Sequence, residues 1–401
     1  MSEQSKPSFS SSRMAASQVG TMAASLYLAL LPFNGLAALK NLCVGVAFVG
    51  ALRLWLASTE KRVPLTNAFL AWLAAAVASL LWSHDVTASV AAIWRDVVKT
   101  FLVFFTFFVL AGRQTVLVGV ARIAIIGALI FAVLAIHDFT YHGWWDNVLT
   151  PARYDVSVDA LNWLVFVGLM ALAMRSQDGQ PRWSWLGFVA LALLLVAGVM
   201  SQSRSFNLSV AMALLLMAAM NPGAVLRHKK TVAVFVGAIV VVVVLGVVLL
   251  DKPVTTYQDR WLLYSTVWQK ISGNPWLGTG FGHETDQAWY QATFDHFPIP
   301  GAPSGLTHPH NVVLSYMDQM GIWGLVVLVY LFWSIARELW PATKSNESWR
   351  RMLGQAGMLL LLMTLISNSF NFYFARQHLW MFFGMLGLFL GWARAERHST
   401  Y

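Results

Sequence analysis

Apolar runs of about 17–25 residues recur along the chain, the length a helix needs to cross the hydrocarbon core of a bilayer. They fall at residues 17–34, 37–57, 65–83, 97–112, 115–136, 159–174, 183–200, 205–220, 231–250, 312–335, 352–370 and 377–393. The pattern predicts an all-α polytopic membrane protein with about twelve transmembrane helices. Lys6 and Arg13 precede the first run as they would a signal peptide. No small-residue cleavage site follows its apolar core, so it reads as a retained helix.

One long polar interruption, residues 251–311, divides this pattern. It separates an N-terminal bundle of about nine helices (1–250) from a C-terminal group of about three with a short tail (312–401). Within it, residues 256–271 place Trp261, Leu262, Tyr264, Val267, Trp268 and Ile271 on one helical stripe, with Gln258, Asp259 and Gln269 elsewhere. That is an amphipathic helix suited to the membrane–water boundary. A shorter candidate covers 284–297, with Trp289, Tyr290, Phe294 and Phe297. Between the two, the Gly- and Pro-rich residues 273–282 predict a tight reversal. Residues 298–303 then lead to His308-Pro309-His310-Asn311.

Composition and charge set the topology. The chain is 58% hydrophobic and 11% charged. A soluble domain carries roughly 25% charged residues, so this chain has too little charge for a water-facing surface. The net charge of +9 reads as cytoplasmic anchoring, not as a nucleic-acid site. With both termini inside, the cytoplasmic segments hold Lys61, Arg62, Arg113, Arg175, Arg182, Arg227, Lys229, Lys230, Arg337, Lys344, Arg350, Arg351, Arg394 and Arg397. The outer segments hold chiefly Lys40, Arg95, Arg153, Arg204, Lys252, Arg260, Lys270 and Arg376, a bias of about two to one. Residues 251–311, 84–96 and 137–155 therefore face outward. Cys43, the single cysteine, lies in an apolar run and excludes an intramolecular disulfide and a thiolate metal site.

The outward arginines carry the candidate chemistry, because the positive-inside bias does not account for them. Arg204 sits in a short turn between apolar helices, Arg260 near the start of the long loop, and Arg376 in another short turn. Snorkelling to lipid headgroups is the structural alternative for each. Two guanidinium forks on one face suit a diphosphate. His310 precedes a predicted helix N-terminus, where imidazolium is disfavoured and a neutral ring can act as general base. Asn311 fits an N-cap and His308 a loop-shaping role. No acidic or second His/Cys cluster accompanies the histidines, which argues against a metal. A P-loop, a Gly-x-Gly-x-x-Gly element, an Asp-x-Asp pair and a Gly-x-Ser-x-Gly elbow are all missing.

The order Arg260, Pro275-Trp276-Leu277-Gly278-Thr279-Gly280-Phe281-Gly282, His310-Asn311, Leu314, Gly321-Ile322-Trp323-Gly324 resembles the signature region of the bacterial O-antigen ligase/polymerase superfamily. It spans roughly residues 256–325, and the span layout extends the likeness over most of the chain. The resemblance implies a membrane glycosyltransferase of the GT-C type that needs no metal or other cofactor. Its implied donor is an undecaprenyl-diphosphate-linked O-antigen and its acceptor lipid A–core, at the periplasmic face of a Gram-negative inner membrane. The implied site comprises His310 as catalytic residue and Arg204 and Arg260 as diphosphate ligands, with His308, Asn311 and Arg376 in support. A family acidic position has no counterpart among Asn368, Asn371 and Arg376. The related O-antigen polymerases and protein O-oligosaccharyltransferases stay open as alternatives. The former tend to have two large outward loops, and the latter more sequence after the last helices than this chain, which ends at Tyr401. A transporter or flippase would show repeated helices and charges at mid-depth, of which Asp318 is the exception found.

The topology can be tested directly. Cysteines introduced at Ser304 and Ser345 should label differently with a membrane-impermeant thiol reagent in intact spheroplasts. Ser304→Cys is expected to react and Ser345→Cys to stay protected; the reverse pattern would invert the assignment.

Overall fold

A computed structural model of the chain describes residues 9–31, 33, 36–111, 117–141, 156–176, 181–201, 203–223, 237, 255–294, 308–370 and 376–399. The helices are α1 (Phe9–Leu30), α2 (Ala37–Ala57), α3 (Thr66–Ala78) with a 3₁₀ turn (Ser79–Trp82), and α4 (Val86–Ala92). A π-helical segment (Ile93–Val98) runs into α5 (Lys99–Ala111), followed by α6 (Leu117–Tyr141), α7 (Val156–Ser176), α8 (Pro181–Met200) and α9 (Arg204–Met220). Next come α10 (Thr255–Gly273), a 3₁₀ turn (His283–Asp286) leading into α11 (Gln287–Phe294), and α12 (Val312–Met320). The set closes with α13 (Ile322–Thr343), α14 (Ser348–Phe370) and α15 (Arg376–Ser399). No strand occurs among the described residues.

Six of these helices are long and apolar enough to cross a membrane: Ala37–Ala57, Leu117–Asp138, Val158–Arg175, Pro181–Met200, Ile322–Thr343 and Ser348–Phe370. The shorter apolar helices Gln18–Leu30, Thr66–Trp82 and Arg204–Met220 accompany them. The all-α polytopic reading therefore holds, while the count of twelve is not established, and the predicted span 231–250 lies outside the described residues. At the centre, α15 lies along α5. Gly387 and Gly391 seat against the backbone at Phe104 and Phe108, where an added Cβ would come within 2.7 and 2.4 Å of carbonyl oxygens. Small residues permit such close helix approach where lipid supplies no hydrophobic drive.

Two expectations need correction, and one segment gains a structure the sequence reading left open. The predicted span 312–335 is broken: α12 stops at Met320, Gly321 takes a left-handed φ of 63°, and the long helix starts at Ile322. The outward segment 84–96 is largely helical, and its π-helical stretch holds Arg95 and Asp96. The α10 stripe also divides into two faces. Leu263, Val267 and Ile271 are buried with half-buried Tyr264, whereas Trp261, Leu262 and Trp268 are exposed. The first face packs on Tyr290 and Phe294 of α11 and Met317 of α12. The second leaves its tryptophans exposed, as at a membrane boundary.

Side-chain pairs mark two opposite ends of the bundle. Arg394 meets Glu60 and the Arg62 carbonyl, and Arg62 pairs with Glu338, all at the end assigned to the cytoplasm. At the other end the Gly-rich residues 275–282 are clasped by main-chain hydrogen bonds. Helix α12 ends without the next turn to receive its last carbonyls, and the loop supplies donors in its place. Thr279 N–H donates to Asp318 O (2.9 Å) and Gly280 N–H to Gln319 O (3.0 Å), while Ile322 N–H donates to Pro275 O (2.9 Å). On its far side, His84 N–H donates to Thr279 O (2.9 Å) and Phe281 N–H to Ser79 Oγ (3.0 Å). The reversal thus joins α3 and α4 to the α12–α13 break.

The clasp requires backbone contact. A Cβ on Gly278 would fall 2.1 Å from the Gln319 carbonyl carbon, with no flexible side chain to yield. Gly278→Ala should therefore destabilise by about 1–3 kcal/mol, the usual range for overpacking. Gly273→Ala, which meets nothing within 4 Å, serves as the matched control. Thermal unfolding of both variants in detergent checks this; equal melting temperatures would show that the clasp has slack.

Candidate active site

The clasp presents the start of α12 to the C-terminal end of α14, and four sequence-selected groups gather there. Asn311 is the N-cap of α12, its Oδ1 accepting from Leu314 N–H at 3.0 Å. Its Nδ2 donates to Ser369 O at 2.8 Å. Arg260 Nη1 donates to Phe370 O at 2.8 Å. Both side chains therefore satisfy carbonyls at the end of α14, which carry the negative pole of that helix. Tyr264 Oη, beside Arg260, donates to His310 O at 3.4 Å.

His310 itself adopts a φ of 51°, a left-handed conformation costing roughly 1–2 kcal/mol for a residue with a Cβ. Its ring is partly enclosed. Burial, reinforced by the Arg260 charge, lowers the imidazole to about 4. The ring is thus neutral at pH 7, as expected from sequence. Burial leads that shift, where the sequence argument invoked the helix pole. His308 lies against it with ring centroids 4.3 Å apart, and His283 lies 5.8 Å beyond His308. Among the described residues, no three His, Cys, Asp or Glu side chains converge in a metal-holding group.

Arg204 reaches the same end by a different route. Ser209 of α9 bonds to Met363 O of α14, and Asn221 beyond α9 bonds to Gln355. The two helices are therefore antiparallel. Arg204, first in α9, is then level with the last turn of α14, the turn that Arg260 caps. Its side chain is exposed, and the N-cap Ser203 accepts from Phe206 N–H at 3.4 Å. Arg376 is the first residue of α15, and its side chain lies outside what is described.

Behind the histidines is an ionic cluster that sequence reading did not assemble. Lys270 of α10 contacts Asp286 and donates to Asp318 Oδ1 at 2.7 Å. Its Nζ also lies 4.3 Å from the Trp289 ring centroid. Tyr290 Oη donates to Asp318 Oδ2 at 2.8 Å, and His84 Nδ1 is 3.3 Å from Asp286. Burial pushes the Asp318 carboxyl up, with Lys270 and Tyr290 pulling it back. A second pairing joins Arg95 to Asp96 (2.8 Å) and Glu284 (2.8 Å). Arg95 and Asp96, adjacent in sequence, pair within the π-helical stretch. One cue was legible: Asp318 stands as a carboxylate in an apolar run, which demands a partner.

His308, Asp286, Tyr290, Asp318 and Ser315 line a narrow cleft with room for about one water molecule. Ser315 Oγ is buried there with no hydrogen-bond partner among the described residues.

Residues 182–329 match a sequence model of the family described as O-Antigen ligase. Over this stretch the chain is similar to that family. The matched stretch contains Arg204, Arg260, His308, His310 and Asn311 together with Lys270, Asp286 and Asp318, whereas Arg95 and Arg376 fall outside it. The match supports a likeness to the ligase/polymerase superfamily, which is glycosyltransferase-like, over that part of a chain with several membrane-length helices. In general terms the family implies a lipid-linked polysaccharide donor and a lipid A–core acceptor. No curated protein matches the chain.

The Lys270 cluster predicts a stability effect separable from chemistry. Lys270→Met leaves two carboxylates facing each other, and breaking such a pair typically costs on the order of 3–5 kcal/mol. Unpaired carboxylates bind protons more tightly folded than unfolded, so the loss should shrink as pH falls. Adding Asp318→Asn should recover part of it. Thermal unfolding of the single and double variants at neutral and acid pH reads both effects; a pH-independent loss would contradict the ionic account.

Proposed function

We propose that the protein is an O-antigen ligase of the inner membrane, transferring O-antigen from undecaprenyl diphosphate to a hydroxyl of lipid A–core at the periplasmic face. The observation that carries this reading is the meeting of a neutral His310 with Arg260 at the end of α14, with Arg204 level with it. The donor comes laterally from the bilayer, and its diphosphate binds Arg204 and Arg260. His310 accepts the proton of the acceptor hydroxyl, which attacks the anomeric carbon with inversion. The arginines stabilise charge on the departing diphosphate, the largest electrostatic demand of the step. No metal takes part. The fold class proposed is GT-C.

The geometry adds a constraint. Arg260 donates to Phe370 O and also interacts with Tyr264, and its remaining N–H groups are those proposed to meet phosphate oxygens. The guanidinium thus stands between an anionic ligand and the negative end of α14. Lysine preserves the charge but loses the planar fork, so Arg204→Lys and Arg260→Lys should both transfer poorly. Chelator should leave the wild-type rate unchanged.

His310→Ala should insert, bind donor and transfer about 10²–10⁴-fold more slowly, and His308→Ala should lose less. Because the His310 imidazole is lowered to about 4, kcat/KM for the wild type should fall on acidification near that value, not near 6.5. Transfer by purified protein, followed over the acid range, measures this. Near-normal His310→Ala or fully active lysine variants would sink the mechanism. The lipopolysaccharide banding of a deletion strain separates ligase from polymerase. Loss of all long chains with accumulated lipid-linked polymer marks the ligase, and caps of a single repeat mark the polymerase.

A further inference from the structure

A base whose imidazole is lowered by enclosure and by a nearby guanidinium charge does not keep the proton it takes, so the site needs somewhere to send it. The Arg260 charge acts on His310. Beside its ring, titratable groups follow one another. His308 stacks obliquely on His310 with centroids 4.3 Å apart, and His283 lies edge-on to His308 at 5.8 Å. His283 Nε2 is 3.3 Å from Glu284 Oε1. The Glu284 side chain is 27% exposed, and Arg95 holds its carboxylate through Nη1 at 2.8 Å and Nη2 at 3.2 Å. The other carboxylates nearby, Asp286 and Asp318, are already engaged by Lys270.

We infer that His308, His283 and Glu284 form a proton exit path that carries the acceptor's proton from His310 to the outer solvent. The inference rests on His310 acting as the base. In the transfer step the acceptor O–H bond breaks, the new bond to the anomeric carbon forms, and the lipid diphosphate leaves with the electron pair of the old bond. His310 holds the proton and passes it to a nitrogen of His308. That ring releases its other N–H proton toward His283, directly or through one water in the cleft that both rings line. His283 delivers it to Glu284, and from there it reaches water. Each imidazole ends neutral, and return of the rings to their starting tautomers readies the site for the next acceptor. His308 thereby gains a role beyond shaping the loop, and His283 one that its position in the sequence does not signal.

The test uses full-length protein in detergent, assayed for transfer in weak buffer and again with imidazole added. His283→Gln keeps a polar side chain but removes the titratable ring. Its turnover should fall by about tenfold in weak buffer, less than the 10²–10⁴ typical of a lost base, and recover as imidazole rises. His308→Gln should behave alike, since a diffusible base replaces the path in both. Glu284→Gln, which removes the terminal acceptor and leaves the rings in place, substitutes where His283→Gln fails to insert. A normal rate for His283→Gln in weak buffer, or a loss in folded protein that imidazole does not restore, overturns the path. His310→Ala run in parallel keeps the two ideas apart. Near-normal transfer there removes the base itself, whereas an inactive His310→Ala beside an unaffected His283→Gln removes only the path.

Discussion

The handover of backbone hydrogen bonds at Gly321 is the constraint from which the rest of this end of the bundle follows. A helix that stops near a membrane boundary leaves carbonyls with few waters to satisfy them, and each unmet group costs free energy comparable to a lost hydrogen bond. Here Thr279 and Gly280 supply the donors for Asp318 and Gln319, and Ile322 repays Pro275. That exchange fixes the reversal after α10, which brings Lys270 and Asp286 to Asp318. It also sets the height of Asn311 and His310 relative to α14. The glycines of the family-like motif are accordingly spacing elements between backbones, and the chemistry is placed on the residues they leave room for.

Electrostatics at this end is arranged in two layers. Nearest the end of α14 stand a cation, a hydroxyl and a neutral imidazole: Arg260, Tyr264 and His310. Behind them lies an ionic cluster in which one ammonium serves two carboxylates, with Tyr290 and Trp289 closing around it. The inner layer holds α10, α11 and α12 together. A buried ionic group of this kind is weak evidence for net stability but strongly resists losing one member.

Much of this was legible in the residues. Five spans read from apolar runs are helices of the required length and hydropathy, and the polar interruption does bring Arg260 and Asn311, next to His310, to one helix end. The break at Gly321 was not legible, because one glycine inside an apolar run looks the same whether or not the helix continues. Its meaning depends on Pro275, Thr279 and Gly280, some forty residues away. The division of α10 escaped for a related reason. Periodicity groups Trp261 and Trp268 with Val267 as apolar, whereas the fold separates side chains that meet protein from those left at the boundary. Asp318 announced that a partner existed, but nothing in the sequence singled out Lys270 for it.

The clasp also has a consequence for biogenesis. Its two sides are Ser79 and His84 near the beginning of the chain and Asp318 to Ile322 near its end, with the Gly-rich reversal between them. During synthesis the reversal emerges long after α3 and α4 have been inserted, and its second partner emerges later still. The outer end therefore remains open until α13 leaves the ribosome, and earlier helices wait in the bilayer for a tie that comes late. A nascent chain halted before residue 322 would hold Arg204, Arg260 and His310 in the same order as the finished protein, yet would lack Ser369 and Phe370, whose carbonyls are where Asn311 and Arg260 meet.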